Sequence, residues 1–148
     1  GKLKYQEVTE DLGTDVRFYY FVVPQALNPK LQDFAFAMVG KSRDDGQLFG
    51  VSDSVPEPFR HYWAAHEYIE FATLDPNAPD RCVTALEREL SLVPDNLKPE
   101  YIPRRLNFFR NLVPYAKEQS FDPQDISYFE QSRDRLEQIV HQLIPSLP

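Results

Sequence analysis

The residues best suited to chemistry are His66, Glu67 and Glu70, in the run His66-Glu67-Tyr68-Ile69-Glu70. His66 and Glu70 stand four positions apart, so on a helix they project from one face, one turn from each other. An imidazole and a carboxylate at that spacing can chelate one cation. Glu67 is offset along the same side, where its carboxylate could act as a base toward water activated at the cation. On a helical wheel over 59–75, Tyr62, Ala64, Ala65, Tyr68, Ile69, Phe71 and Ala72 cover a wide apolar arc. Arg60, His66, Glu67 and Glu70 share the other side with Phe59, Trp63 and Leu74. A helix this apolar is expected to be buried over much of its circumference, so its polar stripe is either the solvent face or the lining of a pocket. As a solvent face, His66 and Glu70 would make a surface pair worth only about 0.3–0.5 kcal/mol.

The run resembles the H-E-x-x-H helix of the zincin metallopeptidases, with Glu70 where that family has its second histidine. The resemblance is confined to His66–Glu70. It implies a site for zinc or another divalent cation, with His66 and Glu70 as ligands, Glu67 as general base and a third ligand from further along the chain. Glu87 is the expected third ligand, at one edge of the apolar face that Cys82, Val83, Leu86 and Leu90 give the next helix; Glu89 lies on the other edge. One histidine with three carboxylates suits a divalent cation and is costly to bury without one. On this reading the chain is a zincin-like metal-binding domain and, if an enzyme, a metal-dependent, peptidase-like hydrolase. The alternative is a non-catalytic interaction domain whose aromatic and acidic surface serves a protein partner or self-association.

The remaining reactive residue types have structural readings. His61 points about 140° from His66 on the wheel. His141 falls near the end of the last helix, where a cation complements the dipole. Cys82, the one cysteine, sits among apolar neighbours as a buried structural thiol, with neither a base nor an electropositive setting evident. Trp63 reads as a core or half-buried ring, Ser52 and Ser54 as capping residues, and Arg104, Arg105 and Arg110 as a solvated helix face.

The order of elements follows from pattern and punctuation. Strands are expected over 3–9, 16–23, 33–41 and 47–53, with turns at Asp11-Leu12-Gly13-Thr14 and Asp44-Asp45-Gly46. The second strand is apolar on both faces and should be central. Helices are expected from Val55 to Leu74, opened by a Ser54/Glu57 capping box, and then to Val93 after an Asn77/Asp80 cap. A third should start at Pro103 and end or kink at Pro114, and a fourth should run from Pro123 to Pro145. Strands followed by helices predict an α+β fold: an N-terminal antiparallel sheet of about four strands with about four helices packed on it.

The chain of 148 residues suits one domain spanning 1–148. Hydrophobic residues at 42% and charged ones at 26% give a globular composition. A net charge of −7 argues against nucleic acid as a partner. No apolar run approaches a membrane span and no secretory signal is evident, so the cytoplasm is the expected location.

Overall fold

The computed structural model describes residues 4–9, 17–39 and 47–143. Its elements are β1 (Lys4–Thr9), β2 (Arg17–Val23), a 3-10 turn (Gln25–Leu27), β3 (Ala35–Val39), β4 (Gln47–Ser52), α1 (Glu57–Tyr68) continuing as a π-helical turn (Ile69–Thr73), α2 (Arg81–Leu92), α3 (Lys98–Glu118) and α4 (Pro123–Leu143). The α+β class holds. The two expected turns at 11–14 and 44–46, and the stop at Pro145, lie outside the described residues.

The sheet is mixed, which corrects the antiparallel expectation. Its order is β1-β2-β4-β3, with β2 and β4 parallel and the other pairs antiparallel. The chain leaving β2 passes Pro24 and a compact loop before β3, so β3 takes the far edge and β4 returns into the gap. Two backbone bonds close the junction: Ser52 N–H to Phe34 O and Asp53 N–H to Val23 O, both 2.8 Å. β2 is central, as its two apolar faces require. Phe18, Tyr20 and Val22 join Phe49 and Val51 on the face that α1 covers. On the other face Phe36 lies across Gly50, where a Cβ would come within 2.2 Å of the ring. Glycine is needed there for close approach.

Among the described residues only α1 makes broad contact with the sheet; α2 packs on α1 and α4, and α3 on α4. Four helices all resting on one sheet face is therefore corrected to one helix on the sheet with the others behind it. Aromatic rings join the layers, with Tyr101 of α3 meeting Phe59, Tyr62 and Trp63 edge-on at 5.1, 5.8 and 5.1 Å. These geometries suit the ring quadrupole.

Two local expectations are also corrected. Pro56, not Ser54, is the N-cap of α1, and no side chain caps it. Ser54 Oγ instead donates to Asp33 Oδ1 at 2.6 Å, in a part-buried network with Gln25, Ser52 and Arg104. Arg104 grips both Asp33 oxygens, at 2.9 and 3.0 Å. Asp33 has φ of 63°, and this network with the Trp63 indole on its carbonyl holds it in that conformation. The third helix begins at Lys98 and runs through Pro103 and Pro114 to Glu118. Both prolines are exposed, and each removes a single donor, which tertiary packing of the opposite face outweighs. Among the described residues no helix is long and apolar enough to cross a membrane.

Candidate metal centre

His66 is 2% exposed at the contact of α1 with α2. Its polar side is thus a buried lining and not a solvent face. Nδ1 lies 2.8 Å from Glu89 Oε1, and Nε2 lies 3.1 Å from Glu70 Oε1 and 3.6 Å from Cys82 Sγ. The His66 nitrogen, a Glu70 oxygen and the Cys82 sulfur all fall within 4.8 Å of one another. A tetrahedral ion with bonds of about 2.0 Å to nitrogen and oxygen and about 2.3 Å to sulfur separates nitrogen from oxygen by about 3.3 Å and nitrogen from sulfur by about 3.5 Å. The two edges that meet at His66 match those spans.

Each of these groups is held by another. Glu70 Oε2 accepts from Arg81 Nε at 3.1 Å, which leaves Oε1 toward His66. Glu89 is fully buried and accepts from Arg105 Nε at 2.8 Å, Arg105 Nη2 at 3.0 Å and the Tyr101 hydroxyl. Ser132 Oγ of α4 donates to Cys82 Sγ at 3.1 Å. A carboxylate on one ring nitrogen fixes the histidine's orientation and leaves the other for a cation.

The charges follow from these contacts. Burial opposes a proton on His66, but its hydrogen bonds with Cys82 and with the carboxylates of Glu70 and Glu89 raise it well above the usual range. With acceptors on both sides, the ring satisfies both as the imidazolium. Burial pushes the Cys82 thiol up, against hydrogen bonds from His66 and Ser132, so the thiol is neutral and the two carboxylates are the anions beside the ring. Burial works against ionised Glu89, and the Arg105 guanidinium and His66 outweigh it. Glu70 is likewise held down, against burial, by His66 and Arg81.

Glu67 differs. Among the described residues it has no hydrogen-bond or ion-pair partner, and burial lifts its carboxyl to about 7. It is half-buried and lines a pocket of about 690 Å3 that also touches His66, Glu70, Arg81, Cys82 and Arg105.

The structure thus brings together His66, Glu67 and Glu70, the three residues of the motif. Glu87 is corrected: it is exposed and bonds Arg135 of α4 at 2.7 Å. Its register turns it away from α1, and Cys82 stands where the third ligand was expected. The sequence reading missed Cys82, Glu89 and Arg105. Cys82 and Glu89 are seven apart, two turns on one face of α2, and that spacing was the available signal. Arg105 falls on the apolar stripe of α3 with Tyr101, Phe108, Phe109 and Leu112, so it is buried rather than solvated. Cys82 is buried, as expected, but with the His66 imidazolium beside it. His61 stays apart, against Tyr62, and His141 is exposed in the last turn of α4. No known family, curated protein or solved structure matches the chain.

Proposed function

We propose that the chain is a metal-binding domain with hydrolase chemistry, in which His66 Nε2, Glu70 Oε1 and Cys82 Sγ hold zinc or a similar divalent cation. The observation that carries this reading is the convergence of the three atoms within 4.8 Å, with Glu89 behind the histidine. Three protein ligands leave a fourth position for water or substrate. Bound there, the cation would supply an acidified water and polarise a carbonyl. Glu67 lines the same pocket without a protein partner and would take the proton from that water. Arg81 holds Glu70 to one-oxygen ligation, and Glu89 keeps the imidazole aimed. Loading requires Cys82 and His66 Nε2 to give up their protons, so affinity rises with pH and protons are released.

The test is metal analysis of untagged protein purified without chelator, followed by cobalt(II) titration. Stoichiometric metal and a thiolate-to-cobalt absorption band are expected, with the band lost in Cys82→Ser and kept in Glu87→Gln. Absence of metal together with no cobalt band ends this reading.

A second reading, an interaction surface, is favoured by the exposed apolar residues on the sheet face opposite α1. Met38 is 60%, Leu48 50% and Tyr19 44% exposed there. Isolated apolar residues are ordinary, but neighbouring ones on one face suit a protein partner or self-association. Met38→Lys with Leu48→Lys should then abolish concentration-dependent association in light scattering; a monomer at all concentrations in the parent chain removes the self-association form of this reading.

A further inference from the structure

The pocket of about 690 Å3 carries two carboxyl groups that the protein leaves unpaired. His66, Arg81 and Arg105 are its cations, and Glu70 and Glu89 hold all three. Glu67 of α1 and Asp125 of α4 line the same cavity, and among the described residues neither has a hydrogen-bond or ion-pair partner. Both are half-buried, and neither holds a sealed, unsatisfied oxygen, so both carboxyl groups are open to a ligand. Asp125 stands in the first turn of α4, but that helix end is already served by Asp122, whose Oδ1 accepts from Gln124 N–H at 2.9 Å. Burial, and then the Asp122 charge, raise the Asp125 carboxyl against the pull of Arg81, as befits a carboxylate with no cation in contact.

The rest of the cavity describes the body of the ligand. Its volume lies in the range that encloses one small molecule. Phe71 of the π turn, Tyr115 of α3 and Phe129 of α4 bring half-buried rings to it, and exposed Leu27 and Phe121 give it an apolar rim. Such walls accept a planar ring by stacked or edge-on contact, and their faces attract a cation. An anion would meet Glu67 and Asp125 while both arginines are already engaged by Glu70 and Glu89, and like charges so placed are costly. Charge complementarity therefore selects a cation on an aromatic body.

We infer that the pocket binds a small aromatic amine as its ammonium ion, the ring held among the aromatic walls and the ammonium paired with Asp125. Glu67 adds charge of the same sign from the same cavity. The inference goes beyond the metal reading: it needs no ion, and it gives a role to Asp125, which that reading does not use.

Calorimetric titration of chelator-treated protein at neutral pH would compare 4-phenylbutylamine with 4-phenylbutanol and 4-phenylbutyrate, which share a ring and chain and differ in terminal charge. The amine should bind about tenfold tighter than the alcohol, because a hydrogen bond to a charged group outweighs a neutral one, and the acid should bind most weakly. Asp125→Asn should bring the amine down to the affinity of the alcohol and leave the alcohol unchanged, a split that general damage to the fold would not give. Ala37→Phe, which fills the pocket from β3, should abolish binding of all three. Circular dichroism checks both variants, and Asp125→Asn decides alone if Ala37→Phe does not fold. No binding of the amine, an amine no tighter than the alcohol, tightest binding of the acid, an undiminished amine preference in Asp125→Asn, or unchanged binding in folded Ala37→Phe would each overturn the proposal. Because metal is removed throughout, these outcomes are separate from those of the cobalt titration.

Discussion

At the scale of single residues, Glu89 does most to organise the site. One carboxylate receives the Arg105 fork, the Tyr101 hydroxyl and the His66 imidazole, all within the core. Such a group is stable only while its partners stay in place, because an uncompensated buried charge costs several kcal/mol. Glu89→Gln leaves Arg105 without its counter-charge and should lower the unfolding free energy by about 3 kcal/mol in urea titration. Glu87→Gln, on the exposed side of α2, should change it by less than about 0.5 kcal/mol.

Glu67 makes a second prediction at this scale. Its folded-state carboxyl sits near 7, above the ordinary 4.5. The folded chain therefore holds that proton more tightly than the unfolded chain. Its contribution is fully present below about pH 4.5 and is lost as pH rises toward 7. In chelator, the parent protein should lose stability across that window, on the order of 2 kcal/mol from this group. His66, also raised, adds loss in the same direction at higher pH. Glu67→Gln should remove the part between pH 4.5 and 7, read as a flatter plot of urea midpoint against pH. An identical plot for both proteins would show that Glu67 titrates normally.

At the scale of elements, the ends of α1 and α3 matter most. α1 does not stop at Tyr68 but widens into a π turn over Ile69–Thr73, where Thr73 Oγ returns a bond to Ile69 O. Such turns often accompany functional sites. Here the wider turn contains Glu70 and Phe71, both pocket residues. Periodicity alone gives the helix its length but not this change of pitch. α3 ends on Ser120 with φ of 57°. Phe121 N–H then bonds Ala116 O, five residues back, at 2.9 Å, and Ser120 N–H bonds Lys117 O at 3.2 Å, which is the Schellman arrangement. Glycine is the residue that normally tolerates this conformation, and its absence hid the helix end. Ser120→Gly should raise the unfolding free energy by about 0.5–1 kcal/mol in denaturant titration.

At the scale of the whole molecule, the cluster ties three helices. His66 and Glu70 come from α1 and its extension, Cys82 from α2, and Ser132 behind it from α4. An ion held there would cross-link the layer that covers the sheet. Zinc at a hundredfold above its dissociation constant should stabilise the fold by about 2.7 kcal/mol, seen as a chelator-reversible rise in melting temperature. Cys82→Ser should lose most of that rise, while Glu87→Gln should keep it. No rise in the parent protein would count against a site formed only in the native state.

How much was legible in the sequence differs between these scales. Local chemistry was: the alternation of β2, the apolar wheel of α1, and the four-residue spacing that sets His66 and Glu70 on one face all follow from backbone periods of two and 3.6. The central place of β2 followed from its two apolar faces. What the tertiary structure decided is which distant groups meet those residues. Sequence pattern could not choose between Glu87 and Glu89, because both flank the apolar face of α2 and only the angle at which α2 meets α1 turns one inward. It could not place Arg105 beneath the pocket, since a guanidinium enters a core only when a partner such as Glu89 is already positioned across it. Nor could it set β4 beside β2, which depends on the loop after Pro24 carrying β3 past the gap. The run from His66 to Glu70 thus determined where a site could be, and the packing of α2 and α3 against it decided that its companions are a thiol, a buried carboxylate and a half-used arginine.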